Sequence, residues 1–124
     1  MHPFRAAIEA GDIDAALALF SEGATLDSPV AFKPFVGTEA IGVVLRAIFE
    51  TFEDFRYTDD LGGEAGVHAL VFSARVEDKS VQGLDLIRSV DPGRITNLTV
   101  MIRPLSGLIA VAEAMAPKVG HLAK

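Results

Sequence analysis

The chain has 124 residues, half of them hydrophobic, with a formal net charge of −6, three histidines and no cysteine. That length and apolar content fit one domain over residues 1–124 with one buried core, and the missing thiols exclude disulfides, thiolate catalysis and thiolate metal sites. The acidic balance, with eleven scattered basic residues, argues against nucleic acid or an anionic membrane surface as partner, because phosphate binding needs clustered Lys and Arg.

The opening stretch MHPFRAAIEAGD carries charge by residue 5 and has no apolar signal core. Through PFRAAIEAGDIDAALALFSEG the apolar residues recur at helical spacing: Phe4 and Ile8, then Ile13, Leu17 and Phe20. Gly11 breaks this pattern, Asp12 is a good N-cap for a second short helix, and Gly23 is expected to end it. ATLDSPV reads as a short strand and AFKPFVG as a loop punctuated by proline. Thr38 is then expected to cap the helix EAIGVVLRAIFETFED, on which Ile41, Leu45, Ile48 and Phe52 form one stripe.

Beyond that helix the period changes from 3.6 to 2. DFRYTDDL, VHALVFSARVED, VQGLDLIRSV and RITNLTVMIRP are four successive strands, joined by GGEAG, KS and DPG. Connections of that length and composition predict hairpins, and hence an antiparallel meander. LSGLIAVAEAMAPKV closes the chain as a helix. Its apolar run is interrupted by Glu113 and is too short to cross a bilayer, so a soluble cytoplasmic protein is expected. Helices first and a meander after predict an α+β fold with helices over one sheet face.

Within this order stand AGDIDAALALFSEGATLDSPV, PFVGTEAIGVVL and GLDLIRSVDPGRITNLTVMIRPL. An acidic turn before the second helix, an Asp-Ser-Pro strand and a Pro-Phe-x-Gly lead into the third helix follow one another there. Over nearly the whole chain this resembles the nuclear transport factor 2-like superfamily, in its polyketide cyclase-like (SnoaL-like) branch. The resemblance implies a cone-shaped α+β domain with a pocket between the helices and the concave sheet face. It specifies no reaction, since this fold serves enzymes, binders and structural subunits.

Strand alternation places Asp85 with Gly83, Ile87 and Ser89 on one face of its strand, and Leu84, Leu86 and Arg88 on the other. In the last strand Asn97, Thr99, Met101 and Arg103 share one face. If the faces carrying polar residues converge, Asp85, Asn97 and Arg103 line one wall of the pocket, with Ser73 or Arg75 from the strand before. A carboxylate among leucines needs a partner, a proton or water. One reading makes Asp85 a pocket acid or base with a raised pKa, and the resemblance implies the same, since cyclases of this superfamily place a catalytic Asp on a late strand. The other pairs it with Arg103 or Arg75, or with Asn97 and Thr99.

Tyr57 is a candidate hydrogen-bond donor to a bound carbonyl, or a packed ring with a wet hydroxyl. Asp27 sits either at the pocket mouth or in turn chemistry. Met101 joins Asn97 as a ligand-contact candidate. His68 is expected to be solvated. No two histidines have metal-ligand spacing, so no metal and no cofactor is expected. Epoxide hydrolases of the resembled group use an Asp-Arg-Asp trio, of which Asp85 and Arg103 supply two members. Isomerases need a base and a separate tyrosine–acid oxyanion hole, which one tyrosine and one clear carboxylate do not rebuild. What survives is single-acid cyclase or isomerase chemistry on a small apolar, carbonyl-bearing molecule. The alternatives are a non-catalytic ligand-binding module and a purely structural dimer. The central strands are apolar on both faces, which predicts a homodimer through the sheet with Leu84, Leu86, Val100 or Ile102 in its interface.

Overall fold

The computed structural model describes residues 2–90 and 93–122; Asp91 and Pro92 of the DPG connection therefore lie outside the described residues. The elements in chain order are α1 (Pro3–Glu9), α2 (Ile13–Leu17), β1 (Phe20–Asp27), β2 (Phe35–Val36), α3 (Thr38–Thr51), β3 (Glu53–Gly62), β4 (Val67–Val76), β5 (Lys79–Val90), β6 (Arg94–Arg103) and α4 (Leu105–Val119), with a short 3-10 turn over Gly120–Leu122. The strands form one sheet in the order β2-β1-β6-β5-β4-β3. From β3 to β6 the strands form the antiparallel meander that the pattern predicts. At the other end β1 joins β6 in parallel. The architecture is α+β, as expected.

The helical stripes do what their spacing implies. Asp12 caps α2 by accepting a hydrogen bond from the Ala15 amide at 3.0 Å, satisfying a donor that the first helical turn leaves free. Ile41 and Leu45 of α3 are buried, and Phe52 ends that helix in an extended conformation. Phe4, Ile13, Ile41, Leu70, Ile87 and Leu98 belong to a core held between the helices and one sheet face, the inner face.

Three local expectations are corrected. The second helix stops at Leu17 and residues 20–27 are already strand, so Gly23 lies inside β1 and ends no helix. The strand starts there because Phe20 pairs with Ile95 and the Ile95 amide donates to Leu19 O at 2.8 Å, contacts that span the chain. Gly37, at φ +92°, stands at the N-cap of α3 and Thr38 is its first residue; that φ lies in the region that favours glycine. Between β4 and β5 the turn is Glu77–Asp78, since Val76 pairs with Lys79, so Lys79 and Ser80 belong to the strand.

The largest correction concerns faces. Asp85 pairs with Leu70 on one side and Val100 on the other, so the β6 residues that share its face are Leu98, Val100 and Ile102. Asn97, Thr99, Met101 and Arg103 point to the outer face with Leu84, Leu86 and Arg88. A bulge between Arg88 and Ser89 in the β5–β6 ladder lets Ile95 and Leu98 both turn inward, which strict alternation forbids. Val100 is buried and Ile102 packs against the core, so neither is placed for a sheet-to-sheet interface.

Candidate active site

The inner face and the helices enclose a cavity of about 670 Å³, within the usual range of roughly 300–1,000 Å³ for small-molecule sites. Its walls come from α1 (Phe4, Ile8), α3 (Leu45, Ile48), the end of α3 (Phe52) and the sheet (Phe55, Phe72, Leu98, Val100). The aromatic wall is continuous: Phe55 stacks on Phe72 at 4.9 Å between ring centroids, and meets the Tyr57 ring edge-on at 5.0 Å. Sequence reasoning placed helical stripes here but missed this wall. Its signal was present in FETFEDFRY, where Phe52, Phe55 and Tyr57 crowd the junction of helix and strand.

Into this apolar space β5 delivers Asp85 and β3 delivers Tyr57. Asp85 is 7% exposed and is the buried charged side chain among the described residues. The Tyr57 hydroxyl donates to Asp85 Oδ2 across 3.4 Å, and among the described residues it is the one hydrogen-bond partner of that carboxyl. Burial pushes the Asp85 pKa up to about 7, and the hydrogen bond from Tyr57 only partly opposes this. Burial, and then the neighbouring Asp85 charge, push the Tyr57 pKa up, so the hydroxyl keeps its proton. The arrangement therefore supplies one group that changes charge near neutrality and one that stays a donor. Both face a cavity whose other walls are mostly apolar, with the exposed Glu9 and Arg56 as its other charged lining residues.

Tyr57 is held from its second side by α1. Arg5 Cζ lies 5.8 Å from the tyrosine ring centroid, within range for a cation–π contact. Arg5 also bonds Glu9 at 3.2 Å and Asp60 at 3.0 Å. Asp60 takes a second bond from His68 Nε2 at 2.5 Å, so His68 is half-buried and paired rather than solvated. The hydrogen bond from His68, with that from Arg5, holds the Asp60 carboxyl below its usual range. The His68 ring also faces His2 at 4.7 Å, and burial followed by that neighbour lowers the His2 pKa. This cluster ties the first helix to the rim of the sheet, beside the Asp85–Tyr57 pair.

The remaining sequence candidates are elsewhere. Arg103 is exposed and donates to Gln82 at 3.2 Å, while Arg75 bonds Asp54, Glu53 and the Glu77 carbonyl; neither pairs with Asp85. Asn97 donates to Thr25 Oγ1 at 2.9 Å and to Asp27 Oδ2 at 3.0 Å, and Thr99 donates to the same carboxylate oxygen at 3.1 Å. This network lies on the outer face, away from the cavity, and takes Asp27 and Asn97 out of the pocket. The turn after β1 is made by Ser28, whose hydroxyl accepts from the Val30 and Ala31 amides. Met101 is 49% exposed on the outer face. Of the six candidates the structure brings two together at the cavity, Asp85 and Tyr57, and pairs two others, Asn97 and Asp27, on the outer face.

The matching family is a SnoaL-like domain, and the match covers residues 2–98, a span that includes Tyr57 and Asp85. A solved steroid delta-isomerase from Pseudomonas aeruginosa is 34% identical, with 94% of this chain and 85% of that one covered and a TM-score of 0.87. An uncharacterized protein conserved in bacteria with a cystatin-like fold, from Silicibacter pomeroyi DSS-3, is 30% identical over 97% of this chain and 87% of that one, also with a TM-score of 0.87. An NTF-2 like protein of unknown function from Burkholderia xenovorans LB400 shares the fold at 18% identity, covering 81% of this chain and 77% of that one with a TM-score of 0.67. No curated protein matches.

Proposed function

This chain belongs to the SnoaL-like domain family, of nuclear transport factor 2-like fold, and on that premise we propose that it takes a small apolar, carbonyl-bearing molecule into its cone and moves a proton on it, with Asp85 as the proton carrier. The observation that carries this reading is a buried Asp–Tyr pair on the wall of a mostly apolar cavity, whose other charged lining residues, Glu9 and Arg56, are exposed. A general acid or base works best with a pKa near the operating pH, and Asp85, at about 7, is populated in both forms there. The ionised carboxylate takes a proton from the carbon beside the carbonyl. Tyr57, which remains a phenol, turns its donor to the oxygen on which negative charge gathers. The protonated Asp85 then returns the same proton to a carbon further along, and the net change is migration of a double bond. The likeness to a protein described as a steroid delta-isomerase supports this reaction type and a compact, polycyclic ketone as the substrate class.

The test is conversion of a β,γ-unsaturated steroid ketone to its conjugated isomer, followed by ultraviolet absorbance. Wild type is expected to convert it. Asp85→Asn keeps the shape of the side chain but cannot carry a proton, and should lose activity by about 100-fold or more. An Asp85→Asn variant that is folded and turns over at the wild-type rate removes Asp85 from the mechanism. Binding of the ketone by wild type without conversion would instead establish the non-catalytic ligand-binding reading. The proposed protein partner is a second copy of this chain, seated on the outer sheet face.

A further inference from the structure

Behind the cavity that holds Asp85 and Tyr57 lies a second one of about 300 Å³, between α3, α4 and the loop that follows β1. Among the described residues no ionisable side chain lines it; Leu26, Phe35, Val44, Val111 and Met115 are representative of its walls. The two cavities have three lining residues in common: Ile48, Phe52 and Val100. Val100 is held by the sheet directly across from Asp85, and Ile48 is fixed one helical turn before the end of α3. Phe52 is the large side chain of the three. Its backbone leaves the helix, with its amide still bonded to the Ile48 carbonyl, and its ring packs beside Phe55 at 6.1 Å and Phe72 at 5.8 Å.

We infer that Phe52 is the specificity-determining residue for ligand length: its ring closes the inner end of the main cavity, so that a compact molecule is accepted and a longer apolar tail is refused. The inference rests on the reading of the main cavity as a site for an apolar carbonyl compound. A ligand with its carbonyl at the Asp85–Tyr57 pair lies beside the wall of Ile48, Phe52 and Val100 that parts the two cavities. Where its apolar chain meets the Phe52 ring, further methylenes find no space. Beyond the ring the space is apolar and unused, so a tail admitted there must itself be apolar, since a buried polar end would lose its hydrogen bonds.

The probes are straight-chain methyl ketones of increasing length, titrated into the protein by calorimetry. With wild type, affinity should rise by about fourfold for each methylene buried and stop rising at the length that reaches Phe52. Phe52→Ala should move that limit to longer ketones, and Phe52→Leu should move it part of the way in a protein that keeps more of its packing. Adding Ala112→Phe, which fills the second cavity from α4, should return the limit to that of wild type. A limit at the same length in wild type and in both Phe52 variants overturns the inference. Binding with these limits in a protein that does not convert the β,γ-unsaturated steroid ketone leaves the length gauge standing and overturns only the catalytic reading. If no ketone of any length binds wild type, the ligand reading and the gauge both fall.

Discussion

Asp85 is the residue whose position most needs an energetic account. Its carboxyl sits among aromatic and aliphatic side chains and, among the described residues, has one neutral donor and no ion-pair partner, so its ionised form is disfavoured. The folded-state pKa of about 7 stands above the ordinary value of 3.8. For a group raised in this way, the folded state holds the proton more tightly. Its contribution to stability is fully present below pH 3.8 and is lost as the pH rises through 7, by an amount on the order of 4 kcal/mol. Asparagine at this position has no such dependence. In denaturant titrations across this range, wild type should therefore lose stability relative to Asp85→Asn as the pH rises. His2 and Asp60 have lowered pKa values and act in the opposite sense, but both proteins carry them, so the difference isolates Asp85. Parallel stability curves for the two proteins would show that Asp85 is not desolvated. The need for a proton, a partner or water was legible in the sequence Leu-Asp-Leu. The identity of the partner was not, because an arginine and a tyrosine both lay within possible register, and only the pairing of β3, β4 and β5 selects Tyr57.

At the scale of elements, what could be read and what could not divide along the range of the interactions involved. The helix over Thr38–Thr51 and the four meander strands follow from spacing of three to four, or of two, within each segment, and the sequence pattern carries that. The start of β1 and the facing of β6 depend on a parallel partner and on a bulge, and no local pattern encodes either. One clue to facing was nonetheless present. Leu98, Val100 and Ile102 make a more apolar set than Asn97, Thr99, Met101 and Arg103, and the more apolar set belongs against the helices. Matching polar residues to polar residues across strands led to the opposite choice. The same close approach of strands gives a test in Gly83. Phe72 of β4 lays its ring over this glycine of β5, and a Cβ added there would stand 2.1 Å from the ring's Cζ. Gly83 therefore opens the notch that lets Phe72 form the cavity wall. Gly83→Ala should cost about 1–3 kcal/mol by overpacking and should weaken ketone binding, as read by thermal melting and calorimetry. A variant with unchanged melting and binding would mean that the ring moves aside freely and that the wall is not built around this notch.

At the scale of the whole molecule the open question is what covers the outer sheet face. Leu84, Leu86 and Val71 are only half-buried there, and Met101 lies 49% exposed beside them. Cross-strand pairing sets Val71, Leu84 and Met101 in one row, with Ala69 and Leu86 in the next. An antiparallel sheet with a wet face normally alternates apolar with polar residues, and these rows do not. The C-terminal helix does not cover these rows. It packs instead on the inner side: Gly107 fits so closely against Val81 that a Cβ would stand 2.5 Å from Val81 Cγ1, and Val111 and Met115 line the second cavity. The outer rows are thus left bare in a single chain, flanked by the Asp27–Asn97–Thr99 network and by charges of both signs at Arg88, Arg103 and Asp59. A contiguous apolar patch of this kind, rimmed by polar groups, marks an interaction site, and a two-fold axis lets the same patch cover itself. The expected state is a symmetric homodimer with Leu84, Leu86 and Met101 at its centre and Val100 and Ile102 excluded from it. Light scattering at micromolar concentration should return about twice the 13.2 kDa chain mass. Leu86→Lys should shift the protein to monomer without unfolding it, because the substituted side chain can reach water once the partner is gone. A wild-type mass of one chain would show that these rows stay exposed, and that the sheet tolerates water on both edges of the patch without a second copy.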